Sequence, residues 1–131
     1  MDPIANSLAQ IKNAVQNFRK EVNIKYAKIN LAVLEILKTG GFIGNYEVIK
    51  EENKKYPTLI KVTLKYRDKE PVFKDIKIVS RSGRRVYTGV AKIHVLQRGK
   101  LDVLISTSQG MMSGREARKK GLGGEVICEV K

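Results

Sequence analysis

The chain has 131 residues, enough for one ordinary domain or two very small ones, and its 42% hydrophobic content supports a core and argues against a disordered tail. Its 26 Lys and Arg stand against 13 Asp and Glu, a net charge of +13 that gathers polyanions: nucleic acid first, an acidic membrane second. A membrane span is not expected, because the richest apolar stretch, residues 29–43, is too short and is broken by Glu35 and Lys38.

Asp2 and Pro3 read as a helix start, a capping carboxylate followed by a proline at the first helical position. Ile4, Leu8, Ile11, Val15 and Phe18 then form one apolar stripe, predicting a helix to about Lys20. Val22, Ile24 and Tyr26 alternate as a short strand. Asn30 is the expected cap of a second helix, with Leu31, Leu34 and Leu37 on its buried side and Gly40-Gly41 at its end. Residues 42–49 read as a strand, residues 51–55 and Pro57 as a charged turn, and Ile60, Val62, Leu64 and Tyr66 as the returning strand.

Residues 67–74, RDKEPVFK, have a linker's composition. We place an N-terminal α/β domain at 1–68, a linker at 69–74 and a mostly β domain at 75–131. In the latter, residues 76–79, 86–87 and 102–105 look like strands, and Ser113-Gly114-Arg115-Glu116 fits a capping box opening one short helix. There the Ser113 hydroxyl accepts from the Glu116 N–H, and the Glu116 side chain reaches back to the N–H of Ser113. Gly121 stops the helix, Gly123-Gly124 permits a tight turn, and Val126, Cys128 and Val130 alternate as a last strand. The fold class expected is α+β: a helix-strand-helix-strand-strand unit packed against a mostly β unit with one short helix.

The segment STSQG, with Ser106, Thr107, Ser108, Gln109 and Gly110, gathers hydroxyls next to the cations Arg115, Arg118, Lys119 and Lys120. Nucleophilic catalysis fits it poorly. Ser106 stands where the G-x-S-x-G elbow around Ser108 requires glycine, and His94, the single histidine, lies in an apolar run and reads as structural. No phosphate-loop spacing occurs, and one Cys and one His far apart in sequence give no metal site. Neither a cofactor nor a metal is therefore expected, and the chain is not expected to be an enzyme. A DNA-bending protein would need apolar wedges on a basic arm, which are lacking. RNA recognition asks less: cations for phosphates, and short hydroxyls that lie flat against the shallow, ribose-lined minor groove. The alternative for the same residues is a turn whose hydroxyls satisfy their own backbone. A second basic cluster, SRSGRRVY, sets Tyr87 beside Arg81, Arg84 and Arg85, either as a solvated hairpin tip or as a stacking surface for an unpaired base.

STSQGMMSGREARKKGLGGEVIC, residues 106–128, closely resembles the C-terminal signature of the bacterial-type small-subunit ribosomal protein eight family. SRSGRRVY and the opening DPIANSLAQIKNA resemble the same family, so the likeness covers essentially the whole chain. Departures are Ser82 and His94 in place of prolines, Leu101 in place of a glycine, and an end without the usual aromatic residues. The resemblance implies a protein that binds a helix of the central domain of small-subunit rRNA and helps assemble the platform. It also implies repression of its own operon's mRNA, contacts with neighbouring small-subunit proteins, no membrane partner, and a monomer outside the ribosome. It assigns groove and sugar contacts to Ser106, Thr107 and Ser108, packing near RNA to Tyr87, and hydrogen bonding or loop orientation to Glu125. With Gln109, Gly110, Arg84, Arg85, Arg115, Arg118, Lys119, Gly123 and Gly124, these are the expected RNA-binding residues. Cys128 is expected to be a buried strand residue. With no basic signal at the N-terminus and no disulfide available to a lone cysteine, a cytoplasmic ribosome is the expected location, an organellar one the alternative.

Overall fold

The computed structural model describes residues 3–131, with side chains from Ile4 onward; the expected Asp2 cap lies outside the described residues. The chain forms two compact units, one ending at Val72 and one spanning Phe73–Lys131.

In the first unit, helix α1 (Pro3–Gln16) buries Ile4, Leu8, Ile11 and Val15 at the expected four- and three-residue steps. It ends four residues short of Lys20, and Phe18 leaves the buried stripe at φ +54. Strand β1 (Glu21–Lys25) follows, then α2 (Lys28–Thr39). The expected cap at Asn30 is corrected here. The helix starts at Lys28 behind Ala27, which makes no side-chain cap, and Asn30 is buried with its Nδ2 donating to the Lys25 carbonyl at 2.9 Å. At the far end, Phe42 N–H donates to Leu37 O and Gly41 N–H to Lys38 O, at 2.8 and 3.0 Å. Gly41, at φ +80, supplies the left-handed residue that this closure requires.

Strands β2 (Ile43–Ile49) and β3 (Leu59–Leu64) complete an antiparallel sheet ordered β1-β3-β2. Ile24, Ile60 and Val62 are buried, while Glu21 and Lys61 pair at 3.2 Å on the solvated face. The stretch with a linker's composition opens on a minimal hairpin, β4 (Tyr66–Arg67) with β5 (Glu70–Pro71), turned by Asp68 and Lys69 at φ +51 and +67.

The second unit contains β6 (Ile76–Ile78), β7 (Tyr87–Thr88), a 3-10 turn (Val90–Lys92) leading into α3 (Ile93–Leu96), β8 (Asp102–Thr107), β9 (Gly110–Ser113), α4 (Gly114–Lys120) and β10 (Gly124–Val130). The sheet runs β6-β10-β8-β9, with β7 beside β10. One face carries Val103, Ile105, Met112 and Val126, packed with Ile93 of α3 and Ala117 of α4. The α+β class is as expected. The one-turn α3 is additional, and it corrects the reading of His94: only Ile93 of that apolar run is buried, and His94 is exposed.

The helix start at Ser113 is as expected in its first half, since Ser113 Oγ accepts from Glu116 N–H at 3.2 Å. The second half is corrected, because the Glu116 carboxylate pairs with Lys120 at 3.3 Å, one turn along, rather than reaching back. Gly121 at φ +69 closes the helix, and the following Leu122 packs onto the core. Removing the cap by Ser113→Ala is expected to cost about 1 kcal/mol. Thermal unfolding checks this, with Ser113→Asp expected to recover most of the loss.

Candidate nucleic-acid interface

Three glycines set the geometry of the second unit's sheet end. Gly121 ends α4, and the chain then enters between β7 and β8. A Cβ on Gly123 would lie 2.4 Å from Thr88 O, and one on Gly124 would lie 2.1 Å from Ser106 O. These glycines are therefore not the tight turn expected of them. They let the first residues of β10 approach both neighbours, and Gly124 already belongs to the strand.

Glu125 is the first residue of that strand with a side chain. Its partner on β8 is Ser106 and its partner on β7 is Tyr87, while Ser106 also faces Met111 on β9. Tyr87, Glu125, Ser106 and Met111 thus form one row across the sheet, with side chains on one face. Alternation puts Ile105 and Val126 on the opposite face, where α4 covers them.

The row is polar and open at its β7 end. Tyr87 is 70% exposed. Arg85 Nη1 donates to Glu125 Oε2 at 3.1 Å, which compensates the charge of a carboxylate set among cations. The carboxylate is held in an ion pair, so the Glu125–Arg85 couple presents both acceptor and donor edges. Arg84 and Arg85 lie just past a two-residue loop, Ser82-Gly83, where Arg81 and Arg84 exchange hydrogen bonds of 2.9 Å and Gly83 takes φ +83. Buried Ser80 fixes the strand behind it, its Oγ accepting from Val86 N–H at 3.0 Å and donating to Val86 O at 3.3 Å.

The hydroxyl segment divides into two kinds of residue. Ser106 and Thr107 are in β8, not in a loop, and Ser108 and Gln109 form the exposed tip between β8 and β9. Thr107 Oγ1 donates to Gly110 O at 2.8 Å and accepts from Gln109 N–H at 3.1 Å. That hydroxyl satisfies its own turn. Ser108 is exposed at the tip, Ser106 is half-buried in the row, and Gly110 takes φ +108 to begin the return strand.

Arg115, Arg118 and Lys119 are exposed on α4, where they line one shallow depression. Arg118 also donates to Gln97 Oε1 at 3.4 Å. The structure therefore gathers Tyr87, Glu125 and Ser106 into one row, with Arg85 paired to Glu125 and the Ser108-Gln109 tip at the end of β8. The α4 cations lie on the helical layer over the other face. Sequence reasoning named Arg85 and Glu125 but not their pairing, and it missed Met111. The pair is 40 residues apart in the chain and carries no local signal; Met111 follows from reading Gly110 as the start of a returning strand.

Cys128 lies buried in β10, and desolvation, with the nearby carboxylates of Asp102 and Glu129 adding to it, pushes its thiol up to about 12. It is a packed apolar group, not a nucleophile. Among the described residues, no cluster of three or more His, Cys, Asp or Glu could hold a metal ion, and no helix is long and apolar enough to cross a membrane.

The profile of the family described as ribosomal protein S8 matches residues 2–130. The chain is 45% identical over 129 residues to the small ribosomal subunit protein uS8 of Dictyoglomus thermophilum, covering 98% of this chain and 96% of the relative. It is 42% identical to the uS8 protein of Petrotoga mobilis and 39% identical to that of Thermus aquaticus, covering 98% of this chain and 97% of each relative.

Proposed function

Because the chain belongs to the ribosomal protein S8 family, a family of structural ribosomal proteins rather than enzymes, we infer that it binds small-subunit ribosomal RNA through the open sheet end of its second unit. The RNA is a helix of the central domain. Binding there organises the platform of the subunit, and the same surface represses translation of the chain's own operon by taking a similar fold in its mRNA. Neighbouring small-subunit proteins are its other partners.

The observation that carries this reading is the Tyr87–Glu125–Ser106 row in register across three strands. It combines an exposed aromatic face, a paired carboxylate and guanidinium, and a hydroxyl, beside a tip carrying Ser108 and Gln109. These are short or flat groups, able to approach ribose and base edges closely. The long cations Arg115, Arg118 and Lys119, on α4, supply phosphate contacts that add affinity without sequence information.

The two classes of contact are separable. Ser108→Ala is expected to weaken binding to a central-domain rRNA fragment by about 1–3 kcal/mol with an unchanged salt dependence. Lys119→Ala should instead reduce the slope of log K against log salt by about one. Filter binding at several salt concentrations checks both. Unaltered affinity in Ser108→Ala would remove the hydroxyl tip from the interface.

A further inference from the structure

Strand β10 changes neighbour along one edge. Cys128, Glu129 and Val130 pair with β6, while Gly124 and Glu125 pair with β7. In the gap between them, Val79 N–H donates to Ile127 O at 3.0 Å and Val126 N–H donates to Val86 O at 2.8 Å. The chain leaves the sheet there at Ser80 and returns to it at Val86. Its excursion carries Arg81, Arg84 and Arg85, all exposed and all within five residues. Like charges held so close repel one another and work to splay the loop.

The base of this excursion is closed by a side chain rather than by backbone. Ser80 is 3% exposed. Its Oγ accepts from Val86 N–H at 3.0 Å and donates to Val86 O at 3.3 Å. One hydroxyl thus serves both polar groups of Val86, as a facing strand residue would. A hydroxyl buried in this way is costly unless its bonds are made; here both are made, and both to one residue. The same Val86 carbonyl accepts from Val126 N–H, so Ser80, Val86 and Val126 meet at a single oxygen. The residues flanking that junction are Arg85 and Tyr87, on either side of Val86, and Glu125, just before Val126. They are two members of the polar row and the guanidinium paired to it.

From this junction we propose that Ser80 is a positioning residue for RNA binding. Buried as it is, it does not touch RNA. It clips Val86 to the base of the basic loop, and Val86 in turn is held on β10. Arg85 is thereby kept across the Glu125 carboxylate, and Tyr87 is kept in register with Glu125, before any RNA arrives. Groups ordered in advance do not have to be ordered on binding, and the affinity they contribute is larger for it. Without the clip, repulsion among Arg81, Arg84 and Arg85 is free to open the loop and carry Arg85 and Tyr87 with it. The inference rests on the reading of this sheet end as the RNA interface, and it adds a residue that acts through Arg85 and Tyr87.

The test measures binding of a central-domain rRNA helix to the full chain, at a temperature where circular dichroism shows each variant folded. Ser80→Ala removes the hydroxyl, and Ser80→Cys replaces it by a poor hydrogen-bonding group of similar size. Each is expected to weaken binding about tenfold. The decisive readout is coupling. In a chain already carrying Arg85→Ala and Tyr87→Ala, nothing is left to position, and adding Ser80→Ala should cost less than about twofold. A merely structural loss would carry through to that background undiminished. Parental affinity in both Ser80→Ala and Ser80→Cys overturns the proposal, as does an equal loss in the two backgrounds. If Tyr87→Ala weakens binding in those cases, the sheet end stands as the interface and only the role of Ser80 falls. If the parent does not bind the helix, or binds it no better than the chain lacking Arg85 and Tyr87 side chains, the reading of that sheet end falls as well.

Discussion

Gly124→Ala is expected to destabilise the second unit by about 3 kcal/mol, as overpacking against fixed atoms does, and to lower its melting temperature on the order of 15 °C. The added Cβ would lie 2.1 Å from Ser106 O and 2.9 Å from Ser106 C. Both are backbone atoms, so no side chain can rotate out of the way. Either β8 or β10 must shift, and β10 lies between β8 on one side and β6 and β7 on the other. The shift would also break the register that faces Glu125 with Ser106 and Tyr87, so RNA binding should fall in the molecules that remain folded. Gly89→Ala is the control. A Cβ there meets nothing within 4 Å, and the change is expected to stay within about 0.5 kcal/mol. Circular dichroism melting curves of the two variants, measured side by side, check the contrast. Equal stability would mean that close strand approach is not what the glycine pair provides.

Tyr87→Ala is expected to weaken rRNA binding about tenfold to a hundredfold while leaving the melting temperature nearly unchanged. The ring is 70% exposed, so its removal forfeits little burial in the free protein. A base stacked on it would lose about 1–3 kcal/mol. Tyr87→Phe should recover most of the affinity if stacking dominates, and little of it if the hydroxyl does. Titration of a labelled rRNA helix with each variant distinguishes the two. A fall in melting temperature with unchanged affinity would instead assign Tyr87 to the sheet.

Much of this fold is legible in the sequence because its signals are local. The stripe Ile4, Leu8, Ile11, Val15 lies within one helix, the stop at Gly40-Gly41 is a backbone requirement, and Ser113 caps the next three residues. An asparagine at a helix start serves equally as a cap or as a buried amide, and for Asn30 only the carbonyl of Lys25 decides between them. The 3-10 turn and α3 span too few residues for a period to emerge, so they read as part of an apolar run. At the candidate site the residue types were visible and their division of labour was not. Thr107 sits among hydroxyls that look alike, yet its own is committed to the Gly110 turn. The role of Gly123 and Gly124 depends on strands that precede them by many residues, and the partner of Glu125 is 40 residues away. Such contacts have no local periodicity to betray them.

If the sheet end meets ribose and base edges as proposed, its binding distinguishes RNA from DNA rather than following phosphate charge alone. The most direct test is competition between a central-domain rRNA helix and a DNA duplex of the same sequence for the full chain, at one fixed salt concentration. The RNA is expected to win by at least about tenfold, since short groups such as those of Ser106 and Ser108 suit the ribose-lined shallow groove of RNA. Equal affinity for the two duplexes would contradict it, reducing the interface to an electrostatic surface.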